Sequence, residues 1–356
     1  MRIAICVAGL LLAATAALAQ LIQPTITSIT PNTVPVEGGT KVVIKGTGFS
    51  ADCLSCSPVC LNCLSPFVSF GGTPATKVTF IDSTTLEAVT PPLMPGTMYV
   101  SVSQRNFTGV TVFDALTVTG DPLTAFEPLL FPIFLPPVRG QFGSEFQTEA
   151  RAANKSESRP LHVYGVDTIC YLFSPIIPLS APTIVESGGK EATLLTGCSH
   201  TTGRILYTPR DDASLLALGL RVFDTSRLPG NAGTEIPVAR ERDFTTDGIV
   251  LLNVPVRLNF RNMLRIYSLS RTDALVAVTV GSRQTFVRLM AGQNEFEPAY
   301  AEFTDFPISA IPEQTTATVR IGYPAVTSPG FVKAPIWAFV TSTNVETQQI
   351  TVVSPN

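Results

Sequence analysis

Seven short runs of β-type residues, each closed by a turn, lie between Pro24 and Gly120, and this pattern leaves room for little other than a sandwich of sheets. The runs are Thr25 to Thr30, Lys41 to Lys45, Phe67 to Phe70, Lys77 to Ile81, Leu86 to Thr90, Met98 to Val102 and Thr111 to Val118. Between them stand Gly38-Gly39, Gly46-Thr47-Gly48, Gly71-Gly72, Asp82-Ser83 and Pro91 to Gly96. Glycine reaches positive φ without strain, while proline and aspartate preset the chain for a turn. About seven strands in roughly 100 residues predicts an immunoglobulin-like sandwich. The rest of the chain supports the same class. Only 14% of its residues are charged, and it carries 25 Gly and 29 Pro, a composition that favours short strands and tight turns over amphipathic helices.

The same residues resemble the IPT/TIG family, an Ig-like module. The resemblance covers most of Gln23 to Gly120 and rests on Ile26-Thr27-Ser28-Ile29-Thr30-Pro31, on Gly38-Gly39-Thr40, and on Val42-Val43-Ile44-Lys45-Gly46-Thr47-Gly48-Phe49. It continues through Val68-Ser69-Phe70-Gly71-Gly72-Thr73-Pro74-Ala75 and Leu86-Glu87-Ala88-Val89-Thr90-Pro91-Pro92. It implies a structural or binding sandwich without catalytic chemistry. The chain departs from the family between Phe49 and Phe70, where a short connection is usual and Ser50 to Pro66 carries four cysteines instead.

At 356 residues the chain suits two or three domains of roughly 100 to 150 residues each. After Asp121 five prolines space a stretch of Phe and Leu, which predicts a linker or an edge strand docked on the following domain. Beyond it, Phe146 to Val166 and Phe260 to Val280 align without gaps, each as strand, polar turn and strand. Later β-rich stretches, Ala217 to Phe223 and Trp337 to Thr341, close the two copies. The expected organisation is a signal peptide at 1–19, an IPT/TIG domain at 20–120, a β-sandwich at 121–243 and a second, related one at 244–356. One large two-sheet sandwich is the alternative for the C-terminal half.

Arg2, the apolar run Ile3 to Leu12 and Ala17-Leu18-Ala19 have the order of an export signal cleaved before Gln20. The apolar run is shorter than the roughly 20 residues of a spanning helix. Cleavage would leave Cys53, Cys56, Cys60, Cys63, Cys170 and Cys198, an even number that an oxidising compartment would convert to disulfides. Two Cys-x-x-Cys pairs could also wrap a zinc ion, but the loop between them is short, and disulfides are the expectation. Both nested (Cys53 with Cys63, Cys56 with Cys60) and crossed (Cys53 with Cys60, Cys56 with Cys63) pairings are open. Cys170 and Cys198 form the expected third bridge.

Catalytic chemistry finds little support in the residues. Cys198 and His200 are two apart, which on a strand gives no freedom to set nucleophile and base. His162 reads as an ordinary strand residue. The acidic clusters Asp211-Asp212, Glu241 with Asp243, and Glu295 with Glu297 stand in turn-like contexts and read as solvated. Asp243 to Gly248 lacks the alternating ligands of a calcium loop. No catalytic, cofactor or metal site is expected. The net charge of −3 and scattered basic residues argue against a nucleic-acid or membrane-surface partner. The expected role is a secreted or cell-surface binding, adhesion or structural protein whose partner is an extracellular polysaccharide or protein. A polysaccharide-active hydrolase, or its carbohydrate-binding accessory, is the alternative.

Overall fold

The structure, a computed structural model, describes residues 23–53, 63–64, 66–104, 109–133, 137–140, 143–166, 182–195, 203–227, 232–256, 259–304, 315–324, 331 and 333–355. It is nearly all β, arranged in several sheets. Among the described residues no helix is long and apolar enough to cross a membrane. The expected signal peptide, Cys56, Cys60, Cys170, Cys198 and His200 lie outside the described residues.

The N-terminal strands are β1 (Thr25–Thr30), β2 (Thr33–Pro35), β3 (Lys41–Thr47), β4 (Asp52–Cys53), β5 (Cys63–Leu64), β6 (Phe67–Phe70), β7 (Thr73–Pro74), β8 (Lys77–Asp82), β9 (Thr85–Val89), β10 (Gly96–Ser103) and β11 (Gly109–Thr119). They form two sheets, ordered β1-β3-β9-β8 and β2-β11-β10-β6-β7. Alternation places Val42 and Ile44 of β3, Leu86 and Ala88 of β9, and Val100 and Val102 of β10 in one core, all fully buried. This is the Ig-like sandwich expected from the turn-punctuated runs. All seven expected strands are present, and the short β2, β4, β5 and β7 are additional. At β10 and β11 the register slips between Met98 and Val100, and Asp114 takes φ 52°. That is a bulge, and it turns Phe113 outward against Tyr99 at 6.1 Å between rings.

Next come β12 (Phe126–Phe131), β13 (Val138–Arg139), β14 (Glu145–Asn154), β15 (Leu161–Val163), β16 (Thr183–Val185), β17 (Glu191–Leu195), β18 (Arg204–Pro209), β19 (Leu216–Asp224), β20 (Thr234–Glu235) and β21 (Ala239–Arg240). The proline-spaced segment after Asp121 does dock on the strands C-terminal to it. However, β12 is flanked on both sides, by β18 along its whole length and by β21 at Leu129 and Leu130. Pro128 stands opposite Tyr207 of β18, at a point that the β21 pairing does not reach.

The last strands are β22 (Ile249–Pro255), β23 (Phe260–Ser268), β24 (Ala274–Val280), β25 (Arg283–Leu289), β26 (Ala299–Thr304), β27 (Thr316–Gly322), β28 (Ile336–Asn344) and β29 (Ile350–Val353). One sheet runs β22-β27-β24-β25, the other β26-β23-β28-β29. The preceding strands have the same plan. β14 lies between β17 and β19, and β19 is followed by β20, as β23 lies between β26 and β28, with β29 beyond. The repeated sequence segments occupy matching places: β14 pairs with β19 from Phe146↔Asp224 to Asn154↔Leu216, and β23 with β28 from Phe260↔Asn344 to Ser268↔Ile336.

One sheet is covered on both faces. Along β28 the side chains of Ile336, Ala338 and Val340 enter the core of the last sandwich, with Leu264 and Ile266 of β23. The alternate residues Trp337 and Phe339, with Tyr267 of β23, enter the core of the preceding strands, with Phe126, Leu129 and Phe131. The continuous apolar run Ile336 to Val340 results directly from this double burial.

Candidate functional site

A concave feature is built where that doubly covered sheet emerges from its contact. On the outer face of β23, residues two apart share a side, so Arg261, Met263, Arg265 and Tyr267 form a row. Their cross-strand neighbours on β28 are Thr343, Thr341, Phe339 and Trp337. One end of the row is aromatic and closed. There Tyr267 lies 5.2 Å from Tyr300 and 6.1 Å from Trp337 between ring centres, and its hydroxyl donates to the carbonyl of Pro132. Burial pushes the Tyr267 hydroxyl far above the usual phenol range.

The other end is polar and open. Arg261, Met263, Arg265, Thr341 and Thr343 form one wall of a pocket of about 430 Å³. The opposite wall comes from the preceding strands, with Val138 and Arg139 of β13, Phe146 of β14 and Val222 of β19. A smaller pocket of about 380 Å³ adjoins it, sharing Phe146, Val222 and Ile350. The seam is fixed beside the pockets, since Thr234 donates to the Ile350 carbonyl at 3.1 Å.

Arg265 forms the floor, with its side chain only 9% exposed. A buried guanidinium needs a partner charge and acceptors. Arg265 lies directly opposite Glu302 of β26, its Nε 3.5 Å from Oε2. One terminal nitrogen donates to Thr341 Oγ1 at 3.1 Å and the other to the sulfur of Met263 at 2.5 Å. The guanidinium also lies 5.8 Å from the centre of the Phe339 ring. Its Nε makes no hydrogen bond among the described residues. Arg139 and Arg261 are exposed at the same pocket. None of the three arginines stands out in the sequence. The available signal was the alternation of Arg261 and Arg265 with apolar residues in a strand, which sets two charges on one face.

The residues singled out in the sequence lie elsewhere. Backbone register sets Cys53 directly opposite Cys63 in the β4–β5 ladder. His162 is on β15, with a buried Nε2 that has no hydrogen-bond partner in the described structure, and burial lowers its pKa below 6.5. Asp212 corrects the expectation of a solvated acidic turn. It is 3% exposed, because the turn Arg210–Ala213 folds it inward, where Arg159 meets it at 2.7 Å. Burial raises its pKa against the pull of Arg159. Glu241 pairs with Arg210 at 2.8 Å, and Asp243 accepts from the Arg240 N–H at 2.8 Å. Glu297 closes its own turn by accepting from Gln293 N–H and the Asn294 amide, while Glu295 offers its carbonyl to Tyr207. These acids do turn and pairing work, and among the described residues no three His, Cys, Asp or Glu side chains are grouped as a metal site.

No curated protein matches the chain. Among solved structures, it is similar to an auxiliary nutrient binding protein from Bacteroides ovatus at 9% identity, over 94% of this chain and 98% of that one, with a TM-score of 0.24. That likeness is too slight to bear on fold or ligand. Residues 24–119 match the family model of the IPT/TIG domain, so the first sandwich of this chain is an IPT/TIG domain.

Proposed function

We propose that this is an exported, non-enzymatic binding protein. In this reading the IPT/TIG sandwich is the mount, and the seam between the two later sets of sheets holds the ligand, an extracellular saccharide, peptide or metabolite. The observation that carries the reading is the pocket at the polar end of a sheet otherwise buried on both faces. Such a sheet gains stability from continuing its aromatic contact to the end, yet here it opens onto guanidinium and hydroxyl groups. Concave, largely preformed sites with apolar walls and a few polar groups are the usual form of small-ligand sites. Mutual packing of the two sets of strands fixes both walls, which reduces the ordering cost of binding.

The chain has five methionines, and Met263 lines the pocket while Met290 is exposed elsewhere. This allows a direct test with methyl-labelled methionine in the mature protein, screened by NMR against glycan, peptide and organic-acid mixtures. A ligand that shifts the Met263 methyl and spares Met290 is the expected result. A ligand that binds without moving Met263, or turnover of a polysaccharide by the purified protein, would overturn the assignment.

A further inference from the structure

We infer that the seam pocket selects an organic anion, a carboxylate carried on an apolar body; this rests on the pocket being the binding site. Three guanidiniums against one carboxylate line it, on a chain whose net charge is −3. The single carboxylate, Glu302, is engaged by Arg265 and by the Tyr300 hydroxyl. Arg139 and Arg261 have no ion-pair partner among the described residues, so the positive charge at the mouth is uncompensated. Guanidinium offers a planar fork that matches a carboxylate and sheds water more readily than an ammonium. Arg265, its charge paired with Glu302, is held by Thr341 and Met263 and is therefore not costly to order when a ligand arrives.

The remaining lining specifies the body of the ligand. Val138, Phe146, Val222, Ile236 and Ile350 present apolar surface to the same pocket, and a bare inorganic anion would leave it wet. A ligand with its charged end at Arg139 and Arg261 and its apolar part against Phe146 satisfies both halves. Thr341 and Thr343 are placed on the wall to accept or donate a further hydrogen bond.

Phenylacetate and octanoate are the probes, with phenylacetamide and octanamide as neutral partners of nearly the same shape and acetate as a charge without a body. Affinity is read by titration calorimetry and location by the Met263 methyl. Each acid should bind about tenfold or more tightly than its amide, as expected for a charge-assisted bond, and more tightly than acetate. The double variant Arg139→Gln, Arg261→Gln changes only exposed side chains. It should abolish the preference for acid while leaving the melting temperature in place. If acid and amide shift Met263 with equal affinity, the pocket stands as a site and anion selection falls. If acetate binds as well as the larger acids, the apolar body has no role and the inference falls. Should neither acid nor amide move Met263, both the pocket and its selectivity are refuted.

Discussion

Gly46 shows how a single residue was legible and why. The sequence marked Gly46-Thr47-Gly48 as a turn, yet Gly46 lies within β3 opposite Ile26. Its need for hydrogen in place of a side chain comes from close approach: a Cβ there would meet the Thr25 carbonyl at 1.8 Å and the Phe49 ring at 2.7 Å. Gly46→Ala should therefore destabilise the IPT/TIG domain by about 2 kcal/mol or more. Gly39→Ala should cost only about 1 kcal/mol, because Gly39 needs positive φ but has open space around it. Urea denaturation of the two variants reads the difference, and equal losses would show that the close approach is relieved by backbone adjustment. His162 gives a pH dependence of known sign. Its folded pKa lies below 6.5 because burial penalises the charged form, so the unfolded chain takes up a proton first as pH falls. Stability is then present above about pH 6.5 and declines below it. Asp212 acts in the opposite sense, its raised pKa favouring the fold as pH falls through the acidic range. His162→Gln should flatten the fall in melting temperature between pH 7 and pH 5, and an unchanged slope would exclude His162 as its source.

Strands with a clean two-residue period were legible from the chain alone, as β3, β9 and β10 show, because one face of each meets a single core. Elements whose role depends on a distant neighbour were not. β13 is two exposed residues, Val138 and Arg139, and nothing local tells that it forms the wall facing β23. The row Arg261, Met263, Arg265 is likewise ordinary until the strands from Phe126 to Arg240 are laid across it. The cysteine loop is intermediate: the sequence left two pairings open, and register favours one. Directly opposed residues in an antiparallel pair have Cα atoms about 4.5 to 5.5 Å apart, inside the roughly 4.4 to 6.8 Å that a disulfide spans. With Cys53 opposite Cys63, the nested pairing is the expected one. Non-reducing peptide mapping of exported protein should recover Cys53 linked to Cys63 and Cys56 to Cys60. Recovery of Cys53 linked to Cys60, or of four free thiols with bound zinc, would contradict it.

At the scale of the molecule, the buried clusters divide the chain differently from its sheets. The sheets fall into three sets, and the strand orders of the second and third match. The cores do not divide at Phe244. The IPT/TIG core is a cluster of its own and touches the next unit at a few points, with Thr73 bonded to the Tyr164 hydroxyl at 3.0 Å, Glu37 to Thr124 at 2.6 Å, and Met94 inserted into the neighbouring cluster. The second cluster, by contrast, takes Tyr267, Phe296, Trp337 and Phe339 from beyond Phe244. A backbone bond crosses as well, from the Ile205 N–H to the Phe296 carbonyl at 2.8 Å. Separating the last two sets would expose Tyr267, Trp337 and Phe339, at about 2 kcal/mol for each large side chain, a total comparable to the whole stability of a small domain. Calorimetry of the mature protein should accordingly show two transitions rather than three. The fragment from Gln20 to Gly120 should reproduce one of them alone, and the fragment from Asp121 to Asn356 the other. A fragment cut at Phe244 should fold poorly or aggregate through its bared aromatic face, whereas Tyr267→Phe, which removes only the bond to Pro132, should lower the second transition and leave the first in place. Three resolved transitions, or a soluble and cooperatively folded fragment from Phe244 onward, would show that the seam is a weak contact. The pocket walls would then move independently, and a preformed ligand site could not be maintained there.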